Sequence, residues 1–191
     1  SWKCKAHGHQ WEETPDARTR SGYGCPFCSN KRTLAGFNDL KTKFPEIAKE
    51  ADGWDPTTLT PGNSSKKMPW KCKRHGHRYD ATVQSRTGKD RGGCPVCNGK
   101  KVLVGFNDLK SKFPNVAKEA DGWDPTTTTW GSGKVMPWKC IRGHQWNAQI
   151  ASRCTRGRGC PYCSNHLLLK GFNDLETLFP DIAKEADGWD P

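Results

Sequence analysis

Trp-x-Cys, then Gly-His, then Cys-Pro-x-Cys follow one another in that order three times along this chain, and no other feature limits its fold as much. The copies open at Trp2, Trp70 and Trp138, 68 residues apart in both steps, and their Cys-Pro-x-Cys pairs start at Cys25, Cys94 and Cys160. Self-similarity at a fixed period marks a repeat array, so the chain reads as three copies of a small unit rather than one large domain. Each unit has about 67 residues, and only 33% of the chain is hydrophobic. Units of that size and composition bury too little apolar surface to hold a core without a staple.

The cysteines supply the staple. Each copy sets three cysteines beside a histidine, an odd thiol number that disulfides within a unit cannot satisfy and a metal can. The expected ligand sets are Cys4, His9, Cys25 and Cys28; Cys72, His77, Cys94 and Cys97; and Cys140, His144, Cys160 and Cys163. Four nitrogen and sulfur donors with no carboxylate make a closed tetrahedral site, a structural zinc pattern without the open position that catalysis needs. Three zinc ions per chain are expected, one per copy. The first two copies carry His-Gly-His, whereas the third keeps only His144, so His7 and His75 are read as dispensable, solvated or phosphate-facing. Cys154 aligns with Thr19 and Thr87 and is read as a free thiol outside every set.

After each Gly-His the apolar residues alternate: Trp11, then Tyr79, Ala81 and Val83, then Trp146, Ala148 and Ile150. That period predicts a half-buried strand, and in the first copy Pro15 suits an edge. A glycine-rich basic turn, such as Arg156-Gly157-Arg158-Gly159, returns the chain to the second cysteine pair. Next comes Gly-Phe-Asn-Asp-Leu, followed by Phe-Pro and Ala-Lys-Glu-Ala-Asp-Gly-Trp-Asp-Pro. Residues 36–56 match both 105–125 and 171–191 at 18 of 21 positions. Pro45 breaks the helical stripe, so two short helices with a corner at Phe44-Pro45 are expected, capped at Asn38-Asp39 and stopped by Gly53. Phe37, Phe44 and Trp54 are read as core beneath the finger. The strips 57–69 and 126–137, rich in Thr, Ser, Gly and Lys, read as linkers able to add a strand. The fold class is therefore a small zinc-stabilised α+β: three tandem treble-clef or zinc-ribbon-like modules, each a knuckle, a β-hairpin, a second knuckle and short helices. The modules are bounded at 1–56, 57–125 and 126–191. Both ends look cut in mid-repeat, the first module lacking its N-terminal strip.

Charge points to a partner. The chain carries a net +11, unevenly: the finger-and-strip segments hold +19 and the helical segments −8. Basic fingers set apart from acidic helices suit a polyanion. The ninth residue after each zinc histidine is arginine in all three copies, Arg18, Arg86 and Arg153. Set on the strand's exposed face, these are expected to clamp phosphates, together with Arg20, Lys89, Arg91, Arg156 and Arg158 of the turns. On that same face Glu12, Thr14, Asp16, then Asp80, Thr82, Gln84, then Asn147, Gln149, Ala151 vary between copies. A fixed frame with variable side chains is what base reading in a major groove would need, and all of these but Ala151 are candidate readers.

Taken together, Trp-x-Cys, Gly-His-x-Trp, Arg, Gly-Cys-Pro-x-Cys and Gly-Phe-Asn-Asp-Leu resemble a tandem family described as a probable zinc-ribbon or treble-clef domain, over essentially the whole chain. The resemblance implies zinc binding and nucleic-acid binding, sometimes beside nuclease domains in longer proteins. Residues and resemblance together lead to an array that binds double-stranded DNA, with RNA binding or a protein-interaction array built on acidic helices and exposed aromatics as the alternatives. No enzyme activity is expected, since the His and Cys are committed to zinc and no repeated carboxylate pair remains. Nothing approaches a membrane span, and cysteines held by zinc point to a reducing, intracellular compartment.

Overall fold

The computed structural model describes residues 1–191 apart from Ser21, Asn63, Ser64 and Asp90. Ser21 and Asp90 of the basic turns, and two positions of the first strip, thus lie outside the described residues. The chain divides into two compact units, Ser1–Asn98 and Gly99–Pro191.

In the first unit β1 (Trp2–Lys3) pairs antiparallel with β2 (Gln10–Trp11), and α1 (Pro15–Thr19) follows. The helix corner is α2 (Leu40–Lys43) and α3 (Pro45–Ala48), then a 3-10 turn at Pro56–Thr58. The second finger opens with β3 (Lys67–Lys71), antiparallel to β4 (Arg78–Thr82), and continues into α4 (Val83–Thr87). In both fingers the hairpin encloses the first knuckle, so the strip is no free linker: its last residues form the hairpin's outer strand. Trp70 faces Tyr79 across that pair and is fully buried.

The strand expected to run through the ninth residue after the histidine stops halfway. β4 ends at Thr82, whose hydroxyl accepts the Ser85 amide at 3.1 Å and so starts α4; Thr14 does the same for the Ala17 amide at 3.2 Å, with Pro15 in the first helical position. Threonine caps and an N1 proline are helix-start signals that outrank the alternation upstream of them.

The corner forms where the proline predicts it. Asp39 caps α2, accepting from the Thr42 amide at 2.9 Å and the Gly36 amide at 2.6 Å, while Phe44 leaves helical geometry at φ −138° and Pro45 starts α3. α3 ends at Ala48, well before Gly53, whose φ of +77° serves the later turn into Trp54. The corner joins two fingers. Its start is tied back to the first, since the Asn38 side chain donates to the Phe27 and Arg32 carbonyls and accepts the Leu34 amide at 2.7 Å. Its end is tied forward to the second: the Lys71 amide donates to the Glu50 carbonyl at 2.8 Å, the Asp52 amide to Pro69, and the Trp54 ring stands edge-on to Trp70.

The second unit repeats this plan. Its corner is α5 (Leu109–Lys112) and α6 (Pro114–Ala117), with a 3-10 turn at Pro125–Thr127. β5 (Val135–Lys139) and β6 (Gln145–Gln149) form the hairpin, α7 (Ile150–Thr155) follows, and a further corner is α8 (Leu175–Leu178) and α9 (Pro180–Ala183). Leu109, Ala117, Trp138 and Ile150 make the core, with Phe113, Val116 and Trp123 packed on it, so the corner and the finger after it share one apolar centre. No helix among the described residues is long and apolar enough to cross a membrane.

Candidate metal centres and basic surface

In each finger the hairpin turn presents a cysteine and a histidine, and the knuckle after the short helix presents two more cysteines. Cys4, His9, Cys25 and Cys28 bring their donor atoms within 4.8 Å of one another, as do Cys140, His144, Cys160 and Cys163. A tetrahedral zinc with S at about 2.3 Å and N at about 2.0–2.1 Å has S–S edges of about 3.8 Å and S–N edges of about 3.6 Å. The Sγ pairs Cys4–Cys28, Cys72–Cys97 and Cys140–Cys163 stand 3.6, 3.6 and 3.9 Å apart. His9, His77 and His144 each turn Nδ1 to the sulfurs, at 3.5 Å from Cys25, 3.6 Å from Cys94 and 3.6 Å from Cys160. The donor chemistry and the spacing both fit one zinc per finger.

The middle site carries one donor more than the sequence assigns. Its closest group is Cys72, His75, His77 and Cys97, with His75 Nδ1 3.4 Å from Cys97 Sγ, while Cys94 Sγ approaches His77. His7 likewise sits 3.3 Å from Cys28 Sγ and stacks on His9. These two histidines are thus not simply solvated. The third site completes four donors with Cys160 and without any such histidine, so by the repeat Cys94 is the expected fourth ligand of the middle site, with His7 and His75 standing within hydrogen-bonding distance of the last sulfur of their sets. Such outer contacts fix the ligand they touch.

The thiols of a set differ. Cys4 is held down to about 7 by the His7 amide, despite desolvation. Desolvation, with the neighbouring thiols, pushes Cys28 and Cys97 up to about 12 and Cys163 up to about 11. Cys154 lies outside every group, half-buried against the core, its thiol pushed up by burial.

The aromatic residues brace these centres. Phe37 packs on the His9 ring with centroids 4.2 Å apart, and Phe172 packs on His144 at the same distance.

A family model described as probable treble clef zinc finger domain matches residues 1–31, 46–100 and 116–166, most of the chain and all three centres. The chain belongs to that family. No curated protein matches the chain. The second and third treble clef matches begin inside α3 and α6 and end beyond the last cysteine, so each takes in the end of a corner together with the finger that follows it.

Across the treble clef surface the structure corrects the arginine assignment. Arg86 and Arg153, expected on an exposed face as phosphate clamps, are buried, at 6% and 5% exposure. Their position falls on the short helix, not the strand, which turns them inward. Arg86 pairs with Glu50, donates to the Gly92 carbonyl at 2.6 Å and lies over the Trp70 ring at 5.2 Å. Arg153 pairs with Glu119, donates to the Arg158 carbonyl and lies over Trp138 at 5.0 Å. Arg18 is half-buried, donates to the Tyr23 carbonyl and lies over Trp2 at 4.9 Å. Sequence reasoning misses Glu50 and Glu119, although the same Lys-Glu-Ala occurs in every copy.

The turn cations do face solvent. Lys89, Arg91, Arg156 and Arg158 are exposed and make no ion pair among the described residues, whereas Arg20 is exposed but held by Asp16 at 2.8 Å. The candidate base readers fall into two groups. Thr14 and Thr82 are helix caps, Glu12 pairs with the Ser1 amino group and Asp16 with Arg20. Asp80, Asn147 and Gln149 are exposed on the outer strand face, and Gln84 is exposed on α4.

Proposed function

We propose that this array binds double-stranded DNA through the exposed turns that precede the second knuckles. The observation that supports this most is a set of four solvent-facing cations, without ion pairs among the described residues, at two equivalent places: Lys89 and Arg91 in one finger, Arg156 and Arg158 in another. Residues 126–171 contain no acidic residue at all, so nothing there offsets Arg156 and Arg158. Exposed Arg74 and Arg142 on the first knuckles extend the basic surface of the same fingers, whereas Lys73 beside them is held by Glu46 at 3.0 Å. Phosphate neutralisation by such groups needs no base contact and supplies most non-specific affinity. Asp80, Asn147 and Gln149 stand on the remaining exposed strand face as the residues able to add base preference. On this reading the chain is a binding module without catalysis, each histidine–cysteine set being filled by zinc.

The test is equilibrium binding to random duplex DNA, single strands and RNA across a salt series. Duplex affinity should fall steeply with salt. Replacing Lys89, Arg91, Arg156 and Arg158 by Ala should flatten the log-log slope by roughly 3 to 4 units, at about 0.9 for each phosphate no longer neutralised. A salt-independent response would remove the DNA reading, and a preference for single strands or RNA would redirect it.

A further inference from the structure

Between the basic turn and the end of the second knuckle, each finger furnishes one place differently. In the first finger Tyr23, two residues before Cys25, and Lys31, three after Cys28, cover it together, the Lys31 Nζ standing 3.6 Å over the Tyr23 ring. In the second finger Asn98 fills it, so that a Cβ on Gly93 would stand 3.3 Å from the Asn98 amide nitrogen. The third finger has Ser164 at the position of Asn98, and nothing comes within 4 Å of the equivalent point on Gly159. The Ser164 hydroxyl folds back onto the Cys160 carbonyl at 2.9 Å. What remains is an open pocket of about 470 Å³, lined by Arg156, Arg158, Pro161, Ser164 and His166 with the two glycines of the turn.

The walls of this pocket are held from within the finger. The Arg158 carbonyl accepts from the buried Arg153, and Gly157 turns the backbone at φ +60°. The His166 amide donates to the Pro161 carbonyl at 2.8 Å, and His166 Nδ1 stands 3.0 Å from the Ser164 carbonyl oxygen, so Nε2 is the ring nitrogen left for a ligand. Arg156 and Arg158 are exposed, and no carboxylate occurs in residues 126–171 to offset them, so the pocket selects an anion. Its volume falls within the roughly 300–1,000 Å³ of small-molecule sites, larger than a bare phosphate needs. The remaining walls are the His166 ring, the Pro161 ring and the guanidinium planes. Aromatic rings and guanidinium planes are surfaces on which nucleobases stack. Inside a duplex both faces of a base are covered by its neighbours, so only an unpaired nucleotide can use them.

Building on the nucleic-acid reading of the same turn, we propose that the third finger holds one unpaired nucleotide, its phosphate between Arg156 and Arg158 and its base against His166 and Pro161. The first finger shows that the two facing positions can bring a cation and a ring together, since Tyr23 and Lys31 occupy the places of Arg158 and His166. In the third finger the cation and the ring face an open space instead of each other. The ligand is a nucleoside monophosphate unit, free in solution or at the end of a strand whose backbone lies along the turn.

Two measurements on the zinc-loaded chain test it. Deoxyadenosine 5′-monophosphate should shift the amide resonances of residues 156–166 saturably, and at lower concentration than inorganic phosphate does. Of two duplexes, one with an unpaired adenine at each 5′ end and one with it at each 3′ end, one should bind about tenfold tighter than the blunt duplex, the gain that a single stacked base supplies. Ser164→Asn gives the third finger the residue that the second already carries beside its own last cysteine. It should remove both effects and leave blunt-duplex affinity and its salt slope as they were. Blunt and overhanging duplexes that bind equally, with the salt slope intact, overturn the pocket and leave the DNA reading standing. Nucleotide shifts at 156–166 without any duplex affinity keep the pocket as a site for the free nucleotide and remove the DNA reading. Inorganic phosphate that matches the nucleotide, or a gain that Ser164→Asn leaves untouched, overturns the proposal.

Discussion

At the scale of single residues, the three arginines show how internal repetition can mislead. Identity at one position in all three copies suggests a common phosphate contact, yet an unvarying residue in a repeat array is equally what a repeated internal bond requires. Arg86 turns its two terminal nitrogens to Glu50 and the Gly92 carbonyl and its flat face to Trp70. Its removal would leave Glu50 partly buried without a cation, a type of loss that costs about 3–5 kcal/mol when burial is complete. Arg86→Ala should therefore lower stability by about 2–4 kcal/mol in urea unfolding, Glu50 being partly accessible, while leaving the salt slope of DNA binding unchanged wherever the variant is folded. The zinc ligands, by contrast, are legible to the residue, because soft donors at fixed spacing have few other uses. Their unequal thiols add a pH dependence. Cys28 and Cys97, at about 12, and Cys163, at about 11, hold protons near neutrality that a zinc ion must displace. Zinc affinity should accordingly weaken as pH falls, by about tenfold per displaced proton per pH unit, and calorimetry in buffers of different ionisation enthalpy should show proton release on binding. Cys94→Ser should cost the middle site its zinc, and Cys154→Ser should cost none.

At the scale of elements, Phe44-Pro45 predicts the corner correctly while the apolar alternation over-extends the strand, for one physical reason. Proline fixes its own φ and restricts its neighbour, so it speaks locally and without ambiguity, whereas alternation of apolar residues continues unnoticed into a single helical turn. Val83 and Ile150 keep the alternation going although they already lie in α4 and α7. The signal that marks the change is the cap, Thr14 or Thr82, a residue type that suits base reading equally well when only the sequence is in view. Caps also hold the corners. Asp108 is fully buried and accepts the Ser111 amide at 2.9 Å and the Gly105 amide at 2.6 Å; desolvation pushes its carboxyl up, but the Ser111 hydroxyl and these amides outweigh it and hold the carboxyl below the usual range. Losing an N-cap costs about 0.5–2 kcal/mol. Asp108→Ala should reach the upper end of that range in urea unfolding of the zinc-loaded protein, because both amides lose their acceptor inside the fold, while Asp108→Asn should recover part of the loss.

At the scale of the whole molecule, the period of the array is plain from the sequence but its phase is not. Any start point along a repeat gives the same period, and cutting at residues 56 and 125, after each Trp-Asp-Pro, follows the motif order rather than the contacts. What decides the phase is where the corner buries its apolar face. Ala51 bridges to Trp70, Trp54 covers it, and Glu50 meets Arg86, all in the finger after the corner, while Phe37 and Asn38 hold only the corner's first residues to the finger before. A fragment spanning 36–98 keeps every one of the forward contacts, whereas one spanning 57–125 uncovers the side of Trp70 that Ala51 and Trp54 cover and leaves Arg86 inside without its carboxylate. Uncovering one side of a large aromatic side chain costs about 1–2 kcal/mol, and the broken ion pair adds a comparable amount. Small zinc modules have little stability in reserve. With one equivalent of zinc, fragment 36–98 should therefore give a cooperative melt and a dispersed amide spectrum, and fragment 57–125 should bind zinc but melt at lower temperature or without cooperativity. Equal melts would mean that the finger is complete without its corner and that the corner contributes connection rather than stability.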